Sequence, residues 1–359
     1  MTKSKLTICG VMSGSSLDGL DMAICSFEPR EENKLEWNID RSSAVAFPDQ
    51  LAADIMACYE SSSAFIYKVE QDFTEFCALS LKEFIGQGSV DYIGYHGHTI
   101  FHEPDRGYTT QIGNAHHLAQ KLGIKVIAQF RNKDVALGGQ GAPLAPIVEK
   151  YLFPEYTAFL NLGGIVNIGI HNNENISAYD ITACNQALNH LSSFFNKKYD
   201  NNGEIASTGS VDPNLLNKLN LLDFLNQEAP KSLSNTWVHQ QFIPILDNHK
   251  ALTNDKMATT VSHIATEIAK ECQSISQGGA VMASGGGVHN GFMMDEIKNN
   301  LAQMGISIIK PSDTISEYKE ALLMALMAYL RVYDVPNCLA SVTGASRDSC
   351  TGIIFNPQL

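Results

Sequence analysis

The sequence predicts an α/β architecture of two similar lobes, and three observations predict it. Two glycine turns, far apart in the chain, each sit between apolar segments of strand length: Leu6–Cys25, bending at Ser13-Gly14-Ser15-Ser16, and Thr157–Ile170, bending at Gly163-Gly164. Short apolar runs then alternate with stretches of helical period, the pattern of strands joined by crossover helices. A third glycine run, Gly285-Gly286-Gly287, lies between a predicted strand and a predicted helix.

In chain order, residues 48–87 carry helical spacing, with Phe65, Val69, Phe73, Phe76, Leu79 and Leu81 as expected core positions. Val90–Tyr95 and Lys125–Ala128 read as short buried strands flanking a helix over Asn114–Leu122. Residues 131–146, rich in glycine and proline, read as the domain hinge. The second half repeats the alternation: a hairpin over Tyr156–Ile170, helices over 184–196 and 258–275, a polar loop over Asp200–Gly209, a strand at Ala280–Ser284 and an apolar helix over Glu317–Tyr333. The expected lobes are residues 1–130, joined by a tail of about 335–359, and residues 131–334.

Composition narrows the function. At 359 residues with 44% hydrophobic content, the chain can build two cores. A formal charge of −13 argues against a nucleic-acid surface, so an anionic ligand has to be held locally. No apolar run approaches the roughly 20 residues needed to span a bilayer, and the N-terminal apolar stretch meets glycines and Asp18 too early for a signal peptide. Eight cysteines without CxxC pairs point to a reducing, cytoplasmic setting.

The motifs admit a chemical and a plain reading side by side. In the first turn, Gly10, Ser13, Gly14, Ser15, Ser16, Asp18 and Gly19 could grip phosphates, with Asp18 orienting Mg²⁺ through water; equally, they make a tight turn. Gly163, Gly164 and the run Gly285-Gly286-Gly287 place N–H groups where anions are favoured, or merely turn the chain. Taken together, the three turns suggest a nucleotide clasped between related halves. No G-x-x-x-x-G-K-[ST] run occurs, which excludes a P-loop. His96-Gly-His98-x3-His102 has a spacing that zinc tolerates, yet no neighbouring cysteine or carboxylate completes a set. Arg131 could fork onto a substrate carboxylate or pair with Asp134. Asp180 could be a general base or a helix N-cap, and Cys184 shows no sign of thiolate activation.

These residues resemble, in order and over nearly the whole chain, the anhydro-N-acetylmuramic acid kinase family of the sugar kinase, Hsp70 and actin superfamily. The resemblance rests on Gly10–Gly19, His96–Thr99, Gln111–Asn114, Phe130–Asp134, Gly138–Leu144, Asn161–Asn167, Ser284–Asn290, Glu320-Ala321 and Val342–Ala345. It implies two actin-like lobes with a nucleotide cleft, and a reaction that consumes ATP with Mg²⁺. The 1,6-anhydro bridge is hydrolysed while O6 is phosphorylated, giving N-acetylmuramate 6-phosphate for cell-wall recycling. It further implies Asp180 as base, Glu320 as its assistant at the sugar, His96, Arg131, Asp134 and Asn185 as substrate contacts, and a homodimer.

The chain departs from the family at one sensitive point. Where the family usually has Asp-Thr-Gly-Pro-Gly-Asn, this sequence has Asp180-Ile-Thr-Ala-Cys-Asn185. A backbone requiring positive φ there would be strained. Besides the same kinase, the departures leave open a kinase for a related anhydrosugar, or a nucleotide-binding regulator that has lost sugar turnover.

Overall fold

The computed structural model describes residues 4–14, 17–30, 34–172, 175–229 and 231–358, without the side chains of Asn172 and Asn175. The chain divides into two compact units, Met1–Phe153 with Asp313–Leu359, and Pro154–Ser312. Both are α/β, and their sheets share one plan.

The first unit holds β1 (Leu6–Met12), β2 (Gly19–Pro29), β3 (Leu35–Ala46), β4 (Tyr92–Tyr95), β5 (His98–Glu103), β6 (Tyr108–Ile112) and β7 (Lys125–Ala128). The second holds β8 (Ala158–Leu162), β9 (Ile165–Asn172), β10 (Asn175–Ala183), β11 (Ala280–Ser284) and β12 (Ser307–Ile309); β13 (Ile353–Phe355) returns to the first. The main sheets run β13-β7-β4-β1-β2-β3 and β10-β9-β8-β11-β12. In each, an antiparallel meander of three strands continues, beside its first strand, into two parallel ones. The recurrence expected from the two hairpins is therefore present as a repeated topology.

Strand β1 is central and buried, so its alternate residues feed two different faces. Cys9 and Val11 join the core with Val69, Phe73, Cys77 and Leu81 of helix Ser63–Ile85. On the other face helix Asp313–Val332 comes so close that a Cβ on Gly10 would lie 1.8 Å from Ala321 O. Gly94, paired with Gly10 in the β1–β4 register, meets Met324 O in the same way. Two adjacent glycines thus form the slot that admits a helix backbone.

This packing corrects the expected lobe limits. The boundaries fall at 153/154 and 312/313, not at 130/131 and 334/335. Helix Asp313–Val332 belongs to the first unit because its backbone sits on β1 and β4. The glycine-rich stretch after Arg131 belongs there too, since Gln140 N donates to Thr343 O and Ser346 N to Leu137 O. Leu79 is also corrected: it is 62% exposed, on the side of its helix away from Val69, Phe73 and Leu81. In the second unit Val261, Ile264, Ala265 and Ile268 of helix Thr253–Glu271 form one apolar face, as the spacing predicts.

Candidate active site and family

In the first unit the parallel strands β1, β4 and β7 end at neighbouring positions, the edge where open α/β sheets hold ligands. Ser13, just past β1, is buried and hydrogen-bonded to His98 Nδ1 at 2.8 Å. Burial lowers the His98 pKa to about 4, so the imidazole is neutral near pH 7. His96 follows β4. Its Nδ1–H donates to Gly97 O at 2.9 Å, which leaves Nε2 to accept from Arg131 Nε at 2.9 Å. Burial first, and then the Arg131 charge, lower its pKa to about 3.

Arg131 is therefore oriented by a neutral imidazole. Its Nη1 donates to Gly141 O at 2.6 Å, while Nη2 has no hydrogen-bond partner among the described residues. The same glycine is held from its other side, because Gly141 N donates to Asp134 Oδ2 at 2.8 Å. Asp134 Oδ1 accepts from Thr343 Oγ1 at 2.8 Å and Cys338 Sγ at 3.1 Å. Asp134 is 0% exposed and bonded at both oxygens, so the expectation that it touches substrate is corrected: it ties the Gly138–Leu144 loop to the C-terminal segment. His96 supports Arg131 and also lines a cavity of about 350 Å³ with Gln111, Asn114 and Gln129, and the expected Arg131–Asp134 pair is replaced by their shared grip on Gly141.

Four carboxylates gather around the first turn. Burial, then Asp18, Glu320 and Glu317, raise the Asp21 pKa. Glu320 is exposed, two residues beyond the break in helical backbone at Tyr318, and its charge opposes the lowering of the half-buried Arg131's pKa by desolvation. Asp18 is exposed, and Gly14 O accepts from Leu17 N at 3.3 Å, closing the turn. Ser15 and Ser16 lie outside the described residues. Two glycines of this motif have a packing reason of their own. Gly10 admits the helix, and a Cβ on Gly19 would lie 2.4 Å from Val45 O of the neighbouring strand. Both serve packing.

In the second unit the carbonyls of the Gly163-Gly164 turn accept from Cys184 N, Asn185 N and Gln186 N at the start of helix Asn185–Ser193. The turn thus satisfies orphan donors of a helix through its oxygens. Asn185 Nδ2 donates to Leu162 O at 2.9 Å, and the residue lines a cavity of about 510 Å³ with Gly286, Gly287, His289, Asn290 and Tyr199. The three glycines of the run differ. Gly285, at φ +84°, and Gly287 are crowded by Asn161 and Leu162, whereas a Cβ on Gly286 would meet nothing within 4 Å. Helix Gly291–Ala302 follows, capped by Asn290 Oδ1 accepting from Met293 N at 3.0 Å. The Asp200–Asn202 and Tyr199 lining went unread in the sequence; the Asp-Asn-Asn-Gly turn signal was its trace.

Asp180 closes the regular part of β10, beside a bulge at Ile181. Its Oδ2 accepts from Leu233 N at 2.8 Å and Ser232 Oγ at 3.2 Å, whereas Oδ1 has no partner among the described residues. None of residues 181–184 has positive φ, and β10 runs on through Ala183. Burial pushes the Cys184 thiol up to about 12, so it is inert. His102 bonds Thr109 Oγ1, a partner different from those of His96 and His98, and among the described residues no group of three or more metal-ligating side chains forms.

The family model for anhydro-N-acetylmuramic acid kinase matches residues 6–357. This chain belongs to that family. Anhydro-N-acetylmuramic acid kinases of Colwellia psychrerythraea and Sulfurimonas denitrificans are 34% and 31% identical to it, over 97% and 96% of this chain and 96% and 98% of theirs. Among solved structures, component A of (R)-2-hydroxyglutaryl-CoA dehydratase from Acidaminococcus fermentans aligns at a TM-score of 0.46 and 12% identity, covering 91% of this chain and 99% of its own. Within an anhydro-N-acetylmuramic acid kinase, then, the altered segment continues β10 through Ala183, with a bulge at Ile181, and Cys184, at φ −133° and ψ −107°, leads into helix Asn185–Ser193.

Proposed function

We infer that this chain is an ATP-dependent kinase that opens the 1,6-anhydro bridge of anhydro-N-acetylmuramic acid and phosphorylates O6, in recycling of the cell wall. One observation carries the reading: the family match spans residues 6–357 and includes Asp180, whose Oδ1 is left open to act as a base. Asp180 takes a proton from the water that attacks C1. The C1–O6 bond breaks, and O6 accepts the γ-phosphoryl group, giving N-acetylmuramate 6-phosphate and ADP.

Other residues have roles in keeping with their surroundings. Arg131, aimed by His96 and Gly141, presents Nη2 to a substrate oxygen, and exposed Glu320 assists at the sugar. Gly286, open on its Cβ side within the second unit's cavity, suits close approach of a nucleotide, with Asn185 beside it. Magnesium, when bound, neutralises phosphate charge. With no protein cage among the described residues, the turn at Ser13, Gly14 and Asp18 suits an ion held mostly by water and phosphate oxygens. No helix of the described residues is long and apolar enough to cross a membrane; a cytoplasmic homodimer completes the proposal.

The test is a coupled ADP-release assay with ATP, Mg²⁺ and 1,6-anhydro-N-acetylmuramic acid, with the sugar product weighed by mass spectrometry. A product heavier by one phosphate and one water is expected. Addition of phosphate alone would make the chain an ordinary sugar kinase, and intact ATP binding without product would favour a regulator of the same fold.

A further inference from the structure

The segment Lys231–Ser234 runs beside Asp180 and is bonded to it three times. Asp180 N donates to Lys231 O at 2.9 Å, and Leu233 N and Ser232 Oγ both donate to Asp180 Oδ2. The segment is itself anchored by a buried cation. Lys231 is only 8% exposed; its Nζ donates to Leu225 O and to Glu271 Oε1, each at 3.1 Å, and stands 5.3 Å from the Phe224 ring centroid. The other oxygen of Glu271, Oε2, accepts from Tyr179 OH at 2.9 Å. Tyr179 directly precedes Asp180. Glu271, at the end of helix Thr253–Glu271, therefore holds both the residue next to the acid and the strap that bonds the acid.

Packing alone does not call for this arrangement. Placing a lysine ammonium out of water is unfavourable unless it is paired and bonded, and apolar residues of like volume often do as well or better. What the pair adds is direction: every bond of the strap falls on the Asp180 backbone or on Oδ2, and none falls on Oδ1. We propose that Lys231, Ser232 and Glu271 are positioning residues for Asp180, fixing Oδ2 so that Oδ1 stays presented for proton transfer. The proposal rests on the reading of Asp180 as the base.

Ser232→Ala removes one bond at an exposed position, and Lys231→Met removes the anchor while keeping the stem. Loss of a hydrogen bond to a carboxylate corresponds to about a tenfold fall in kcat for Ser232→Ala, with a larger fall for Lys231→Met and KM for ATP unchanged in both. Ser232→Thr, which restores the hydroxyl, is expected to return kcat to within about twofold of wild type. Hydrogen exchange at the Leu233 amide gives a readout free of turnover: it is expected to quicken about tenfold or more in Asp180→Ala and in Lys231→Met. Variants that keep kcat within about twofold of an active wild type, or a Leu233 amide indifferent to Asp180→Ala, would overturn the strap alone. A wild-type protein that turns over no sugar would overturn the base, and the proposal with it.

Discussion

Two aspartates expected at the substrate, Asp134 and Asp180, end up in opposite circumstances. Asp134 is fully buried and bonded at both oxygens by Gly141, Thr343 and Cys338. Asp180 is half-buried, bonded at one oxygen, with the other open. A carboxylate that is fully buried and bonded at both oxygens can hold a scaffold together but is shut off from a reacting proton. Hydrogen-bond saturation, more than residue type or motif position, distinguishes their surroundings.

Exchanging the two defects is the sharpest way to break that contrast. Asp180→Asn is expected to lower kcat by about 10²–10⁴ while leaving the apparent Tm near that of wild type. Asp134→Ala should do the reverse. It strands the Gly141 N–H and the Cys338 thiol, leaving the Thr343 hydroxyl only Leu339 O at 3.3 Å, and at about 1–3 kcal/mol for a buried unsatisfied group the apparent Tm should fall by several degrees. Thermal scans paired with kcat measurements decide the matter. If Asp134→Ala proved thermally silent but catalytically dead, the division by saturation would be wrong.

The glycines offer the same contrast at smaller scale. Gly10→Ala drives a Cβ into Ala321 O, so helix Asp313–Val332 has to move, at about 1–3 kcal/mol. Gly286→Ala meets nothing and is expected to leave Tm within about a degree or raise it slightly, while raising KM for ATP several-fold. A Gly286→Ala variant with unaltered nucleotide affinity would show that its open side is not the nucleotide's side.

Much of this was legible in the chain. The alternation of apolar runs marks β7, β8, β9 and β11 within a few residues, because strand period and turn chemistry are local; β10, Asn175–Ala183, has no continuous apolar run and is not among the expected strands. The strand–turn–strand grammar marks the hairpin that opens each sheet for the same reason, whereas the third strands, β3 and β10, emerge only in the fold. What stayed hidden depended on long-range contact. Gly10 reads as a phosphate-turn glycine until Ala321, 311 positions later, is found against it. Asp134 reads as a loop acid until Thr343 and Cys338 arrive from the C-terminal segment. Lys231 and Glu271 carry no motif at all, and only the fold makes them neighbours of Asp180. The 181–184 segment misled in the other direction: absence of glycine suggested strain, but extended backbone suits Ile181, Thr182 and Ala183 without left-handed φ.

The buried histidines extend the contrast between engaged and open groups to protons. His96 and His263 are held neutral, each with its pKa lowered to about 3 chiefly by burial, and His98 to about 4. His263 is fixed between Thr182 Oγ1 at 2.9 Å and Asn220 Oδ1 at 2.6 Å, so its ring has no water with which to share a charge. In the unfolded chain all three titrate near their ordinary value of about 6.5. Above that pH neither state binds these protons, and their contribution to stability is fully present. As pH falls from about 6.5 towards 4, the unfolded chain takes up protons that the folded chain refuses, so stability is lost on acidification, by at most about 1.4 kcal/mol per pH unit for each histidine. Asp21, with its raised pKa, works in the opposite sense at the acid end and blunts the slope there. Urea unfolding at pH 7.5, 6 and 5 should show a falling midpoint, and His263→Gln, which keeps a hydrogen-bonding side chain but cannot charge, should flatten the fall by about one proton's share. A midpoint independent of pH across that range would mean that these rings reach water in the folded protein.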